Sequence, residues 1–143
     1  MGVTQLHDVV YVVYSASRSI SRFCATTHQR LSDVDVTYRC VSSPTDIAAC
    51  EQTSQLYVAY NRQCVWRVSV SSYSRYVENR WLPKSPSATF RPSALSVTAS
   101  RLLVTSLYDK QLMQFDAGGD QLTLVELPSY MGCLLYTSDA ADE

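Results

Sequence analysis

A threefold internal repeat constrains this chain more than any other feature. DVVYVVY starts at Asp8, SQLYVAY at Ser54 and SRLLVTS at Ser100, a spacing of 46 residues both times. Each string is followed by a short polar segment and then an apolar run: SISRF from Ser19, CVWRV from Cys64, QLMQF from Gln111. A unit this small cannot bury its apolar face alone, so the period implies stacked copies of one supersecondary element.

The middle copy divides into four short strands. DIAACE (46–51) follows the turn signal Ser43-Pro44, and LYVAY (56–60) follows the polar Gln52-Thr53-Ser54. Asn61-Arg62-Gln63 then leads into CVWRVSV (64–70), and a Ser-rich turn into YVENRWL (76–82), which Pro83 ends. Val, Tyr and Trp dominate these runs, and hairpin-length polar loops separate them. The third copy reads SALSVT, RLLVTS, QLMQFD and QLTLVEL, with Ala117-Gly118-Gly119 as its hairpin turn. The first reads VTQL, VVYVVY, SISRFC and RLSDVDV. No stretch carries a helical period, so no helix is expected.

Alternation separates the strands further. The second strand of each copy is apolar without interruption (VVYVV, LYVA, LLV). A strand with one wet face alternates, whereas one buried on both faces does not. The fourth strand alternates better, as at Leu122, Leu124 and Glu126, which predicts a partly solvated outer edge. Four-stranded sheets stacked face to face around an axis satisfy both patterns, and four strands in 40–50 residues is the period of a β-propeller. The fold class expected is all-β, with three antiparallel blades at about 1–40, 44–83 and 92–128.

The pattern P-x-x-I-A, then L-Y-V-A, a short loop and I/V-x-R/Q-F, resembles NHL-type blades and the wider six-bladed TolB-like propellers. Pro44, Ile47, Ala48, Leu56, Tyr57, Val58, Ala59, Val65 and Arg67 carry it, with Pro92, Val104, Leu112, Phe115 and Asp116 in the next copy. The Asp that usually closes the L-Y-V-A-D strand is replaced by Tyr14, Tyr60 and Ser106. The resemblance implies a non-catalytic binding scaffold with a broad rim. Two other propeller classes are weighed beside it. A metal-dependent lactonase or esterase gathers carboxylates at the axial channel, where Asp46 is the best candidate, although Ala94 takes its place in the next copy. An extracellular YWTD-like propeller is faintly matched by LYVAY.

Residues 133–143 (CLLYTSDAADE) carry neither the repeat nor its texture. They coincide with the translation of a transposase-type sequencing adaptor, so they are expected to be non-native and disordered and are set aside. On that reading 1–132 is a partial propeller interrupted within its gene, and Met1 is not a natural start. Three of the 13 acidic residues (Asp139, Asp142, Glu143) lie in the tail, leaving ten against 12 Lys and Arg and turning a net charge of −1 into about +2. At 46% hydrophobic and 17% charged, the chain is of globular type. No apolar run approaches the roughly 20 residues of a membrane span. MGVTQLHD lacks the basic-then-apolar order of a secretory signal, and the sequence assigns no compartment.

Chemistry-bearing patterns are sparse. Cys24, Cys40, Cys50 and Cys64 form no CxxC knuckle and lie near no His pair, so they are expected as small buried hydrophobes and not as zinc ligands. His7 and His28 have no matched nucleophile in sequence and are expected in exposed loops. There is no GxSxG, and Gly118-Gly119 is a hairpin and not a phosphate loop. No cofactor, metal or small-molecule substrate is expected. In propellers the second-to-third-strand loops share a rim with the links between blades. That places Arg18, Arg62 and Lys110 at matching positions, with Arg39, Lys84 and Arg91 in the links and Tyr14, Tyr60 and Tyr108 alongside. Such cations with interleaved aromatics suit a protein partner, or a polyanion such as RNA.

Overall fold

The computed structural model describes residues 1–14, 19–35, 44–60, 64–70, 76–82, 90–99, 101–106 and 110–128, with backbone alone at 35 and 76–80. Twelve strands follow one another. They are β1 (Gly2–Leu6), β2 (Val9–Val13), β3 (Ser19–Cys24), β4 (Arg30–Asp35), β5 (Pro44–Cys50), β6 (Gln55–Tyr60), β7 (Cys64–Val70), β8 (Tyr76–Leu82), β9 (Ala94–Thr98), β10 (Arg101–Ser106), β11 (Gln111–Phe115) and β12 (Gln121–Glu126). There is no helix among the described residues. The strands form three four-stranded antiparallel sheets, β1–β4, β5–β8 and β9–β12, each a simple meander in chain order. Each copy of the repeat makes one sheet, as its turn chemistry predicts.

The sheets pack through their first strands, β1 beside β5 and β5 beside β9. Two apolar layers result. Between the first and second sheets lie Leu6, Tyr11, Val13, Ile20 and Val34, facing Ile47, Leu56, Val58, Tyr60, Cys64 and Val68. Between the second and third lie Ala48, Cys50, Tyr57, Ala59, Val65, Trp81 and Leu82, facing Phe90, Leu95, Leu102, Val104, Met113 and Phe115. Alternate residues of β6 enter opposite layers: Leu56, Val58 and Tyr60 one way, Tyr57 and Ala59 the other. This two-sided burial is the physical reason that LYVAY shows no polar alternation.

Three local features depart from the sequence expectation. β5 starts at Pro44 and not at Asp46, with a register shift that leaves Thr45 between the pairs Pro44↔Tyr60 and Asp46↔Ala59. A strand's first residue and a bulge are the two places where the missing proline N–H costs no ladder bond. β12 is exposed at every position, Leu122, Leu124 and Val125 included, so its apolar residues do not sort into a dry and a wet face. Cys24 is only half-buried, whereas Cys50 and Cys64 are buried and free as expected, and Cys40 lies outside the described residues.

Deleting buried methylenes costs transfer energy plus the cavity left behind. Leu56→Ala, at a side chain that is 0% exposed, is therefore expected to destabilise the chain by about 2–5 kcal/mol. Val125→Ala, at a residue 45% exposed, is expected to change stability by less than about 0.5 kcal/mol. Urea unfolding of both variants provides the comparison; equal midpoints would contradict the two-sided core.

Candidate functional site

The first residues of the inner strands meet at one end of the array. Asp46 joins them: its Oδ1 accepts from Ile47 N at 2.9 Å, and its Oδ2 accepts from Leu95 N in the next sheet at 2.8 Å. On the other side Gly2 approaches so closely that a Cβ there would lie 2.6 Å from Asp46 Oδ1 and 3.0 Å from Asp46 Cα. Real Cβ atoms do not tolerate the first distance, so the close approach of β1 to β5 needs glycine at this position. In register with the middle strands, Gly2 opposes Val13, Asp46 opposes Ala59 and Ala94 opposes Thr105. These are one repeat position in three copies, occupied by one carboxylate and two residues without polar side chains. Asp46 is thus a clasp between β5 and β9, and no carboxylate ring forms across the three sheets.

Contacts at the opposite end join the first-to-second-strand turns. His7 Nε2 lies 3.0 Å from Ser54 Oγ, linking the first sheet to the second. His7 (φ 54°), Ser54 (φ 52°) and Ala99 (φ 46°) all hold left-handed backbone in the equivalent turn of each copy. His7 is exposed, as expected, but it does have a serine neighbour, 47 residues away and so invisible to local reading. The next turn brings Ala25 N to Asp8 O at 2.8 Å and His28 N to Cys24 O at 2.8 Å. Hydrogen bonds from Thr27, side chain first and then backbone, hold the Cys24 thiol below its ordinary pKa. No cluster of three His, Cys, Asp or Glu side chains suits a metal ion among the described residues.

The expected cationic rim is only partly described. Arg91 and Lys110 are exposed, Lys110 in left-handed backbone (φ 52°) with its carbonyl accepting from Leu127 N at 2.6 Å. Arg18, Arg39, Arg62, Lys84 and Tyr108 lie outside the described residues. Tyr60 is 2% exposed and packs between the first two sheets, so it is a core residue and presents no ring to a partner. Tyr14, 38% exposed, stands at the same repeat position, as does Ser106, which is 0% exposed. Of the three, Tyr60 and Ser106 are covered and Tyr14 is open.

No protein-family model matches the chain, and no curated protein matches it. Solved structures do. Virginiamycin B lyase from Staphylococcus aureus aligns with a TM-score of 0.66 and 14% identity over 89% of this chain and 41% of its own. Saccharomyces cerevisiae Sqt1 gives 0.68 and 10% identity over 90% and 36%, and Kuenenia stuttgartiensis hydrazine synthase 0.65 and 14% over 90% and 37%. All three are β-propeller proteins. The chain folds as three blades of a β-propeller. It spans about two fifths of the length of these neighbours, and identities this low show fold alone.

Two outcomes follow for the blade contacts. Asp46→Ala leaves the amides of Ile47 and Leu95 without their acceptor, and is expected to cost about 1–3 kcal/mol in urea unfolding, with Asp46→Asn losing less. Near neutral pH, iodoacetamide is expected to alkylate Cys24 well before Cys50 and Cys64, because among these three described cysteines only Cys24 is accessible and favoured as thiolate. Thr27→Val should slow that reaction, read by peptide mass mapping.

Proposed function

We propose that the protein is a non-catalytic interaction scaffold of NHL-like type, binding a protein partner through the blade rim that carries Arg91 and Lys110. The observation that carries this reading is the occupation of Asp46. An axial metal enzyme of this architecture needs carboxylates free to coordinate at the inner-strand starts. Here both Asp46 oxygens accept backbone N–H groups, and the matching positions are Gly2 and Ala94. The blade interfaces themselves are filled by apolar side chains. What is left for recognition is the surface, where propellers present wide rims in place of deep clefts.

The two described rim cations favour an acidic partner surface, and the remaining cations expected there, Arg18, Arg39, Arg62 and Lys84, act in the same sense. Charge steering of this kind is screened by salt and falls when charges are reversed. Reversal at Arg18, Arg62 and Lys110 together is expected to lower the salt concentration at which the chain elutes from a polyanion column. Elution at unchanged salt would remove the rim from the proposal. Retention by RNA but not by an acidic polypeptide would redirect it from protein to nucleic acid.

A further inference from the structure

Repeat geometry gives the second blade a feature that its neighbours lack. On the middle strands, Tyr11 pairs with Arg22 in the first blade and Tyr57 with Arg67 in the second; the third has Leu103 opposite Gln114. In the first blade the arginine is anchored, since Arg22 Nε donates to Ser32 O at 2.6 Å. In the second, Arg67 Nε is buried and has no hydrogen-bond partner among the described residues. A buried unpaired donor on a charged group costs more than on a neutral one, so the guanidinium is held in a setting that wants an acceptor.

The surroundings fix that guanidinium in place. Its Cζ lies 5.6 Å from the centroid of the Trp81 ring, whose own partner is the Tyr57 ring at 4.9 Å. Tyr57 donates to Gln55 Oε1 at 2.9 Å, so the amide NH2 of Gln55 is not used in that bond and remains a donor. Gln55 and Arg67 are diagonal neighbours on one face of adjacent strands, within reach of a common ligand. Arg67 as a whole is half-buried, and its Nε is enclosed. Burial pushes the Tyr57 hydroxyl above its ordinary pKa, so it stays neutral and adds no competing charge.

We propose that Arg67 and Gln55, walled by Trp81 and Tyr57, bind a carboxylate of an acidic peptide side chain at the flank between the second and third blades. A planar guanidinium on an aromatic face presents paired N–H groups that match a planar carboxylate. One arginine and one neutral amide supply too little charge for a phosphate dianion. The site lies apart from the rim carrying Lys110 and is independent of it.

The chain has two tryptophans, Trp66 and Trp81. Trp66→Phe removes an indole whose Nε1 has no partner and leaves Trp81 as the single reporter. In that background, an acetylated Gly-Glu-Gly amide is expected to change the emission saturably, and its Gly-Gln-Gly counterpart to do nothing. Arg67→Gln should weaken the glutamyl peptide by about tenfold or more, with Arg67→Lys intermediate. Arg30→Gln, at an exposed cation of the first blade outside both the rim and this site, should leave binding unchanged, which separates the site from general surface charge. Equal response to both peptides, unchanged affinity in Arg67→Gln, no saturable signal in the parent, or saturation by inorganic phosphate in place of the glutamyl peptide would each overturn the assignment. Should Arg67→Gln fail to fold, the charge-retaining Arg67→Lys reads the same loss of paired donors.

Discussion

The second strand of the middle sheet, β6, is buried on both faces, and it joins the three blades into one body. Leu56 and Val58 close against the first blade while Tyr57 and Ala59 close against the third, from one uninterrupted strand. A sheet wet on one side would hold a single neighbour and end the array. Stacking therefore sets the composition of the middle strands, and the hairpin turns only determine where each meander reverses.

Polar contacts act within that frame as registers more than as sources of stability. Asp46 reaches Leu95 N across the blade boundary, and His7 meets Ser54 at the opposite end. Apolar layers slide at small cost, because burial depends on area and not on direction. A directional bond at each end removes that freedom. Gly2 adds a steric contribution, since its missing Cβ lets β1 pack closely against Asp46 and Ile47 of β5.

Architecture was legible in the sequence because its signals are periodic. The three blades and their four strands follow from spacing and alternation; the two-sided burial expected of every second strand is complete in β6, whereas β2 and β10 alternate between buried and partly open positions. Tyr60 is buried where a rim residue is expected. Its repeat position looks like the strand end beside a loop, but the neighbouring blade covers it, and coverage between repeats leaves no trace in local pattern. Ser54 beside His7 was likewise hidden, because 47 residues separate them. Asp46 stands out in the sequence, yet its partners, the amides of Ile47 and Leu95, are backbone groups that every residue except proline carries.

A degenerate repeat also supplies its own control. Where copies share a position, its role in one copy is a reference for the others, and a departure becomes visible without any outside comparison. The middle-strand pair shows how this works. Arg22 meets a backbone carbonyl and is accounted for as part of the sheet, whereas Arg67 in the same place meets an indole and leaves Nε without an acceptor. Structure alone does not require the second arrangement, since the first blade does without it. Function in a propeller is most readable at such breaks in the period, because the period itself is already explained by packing.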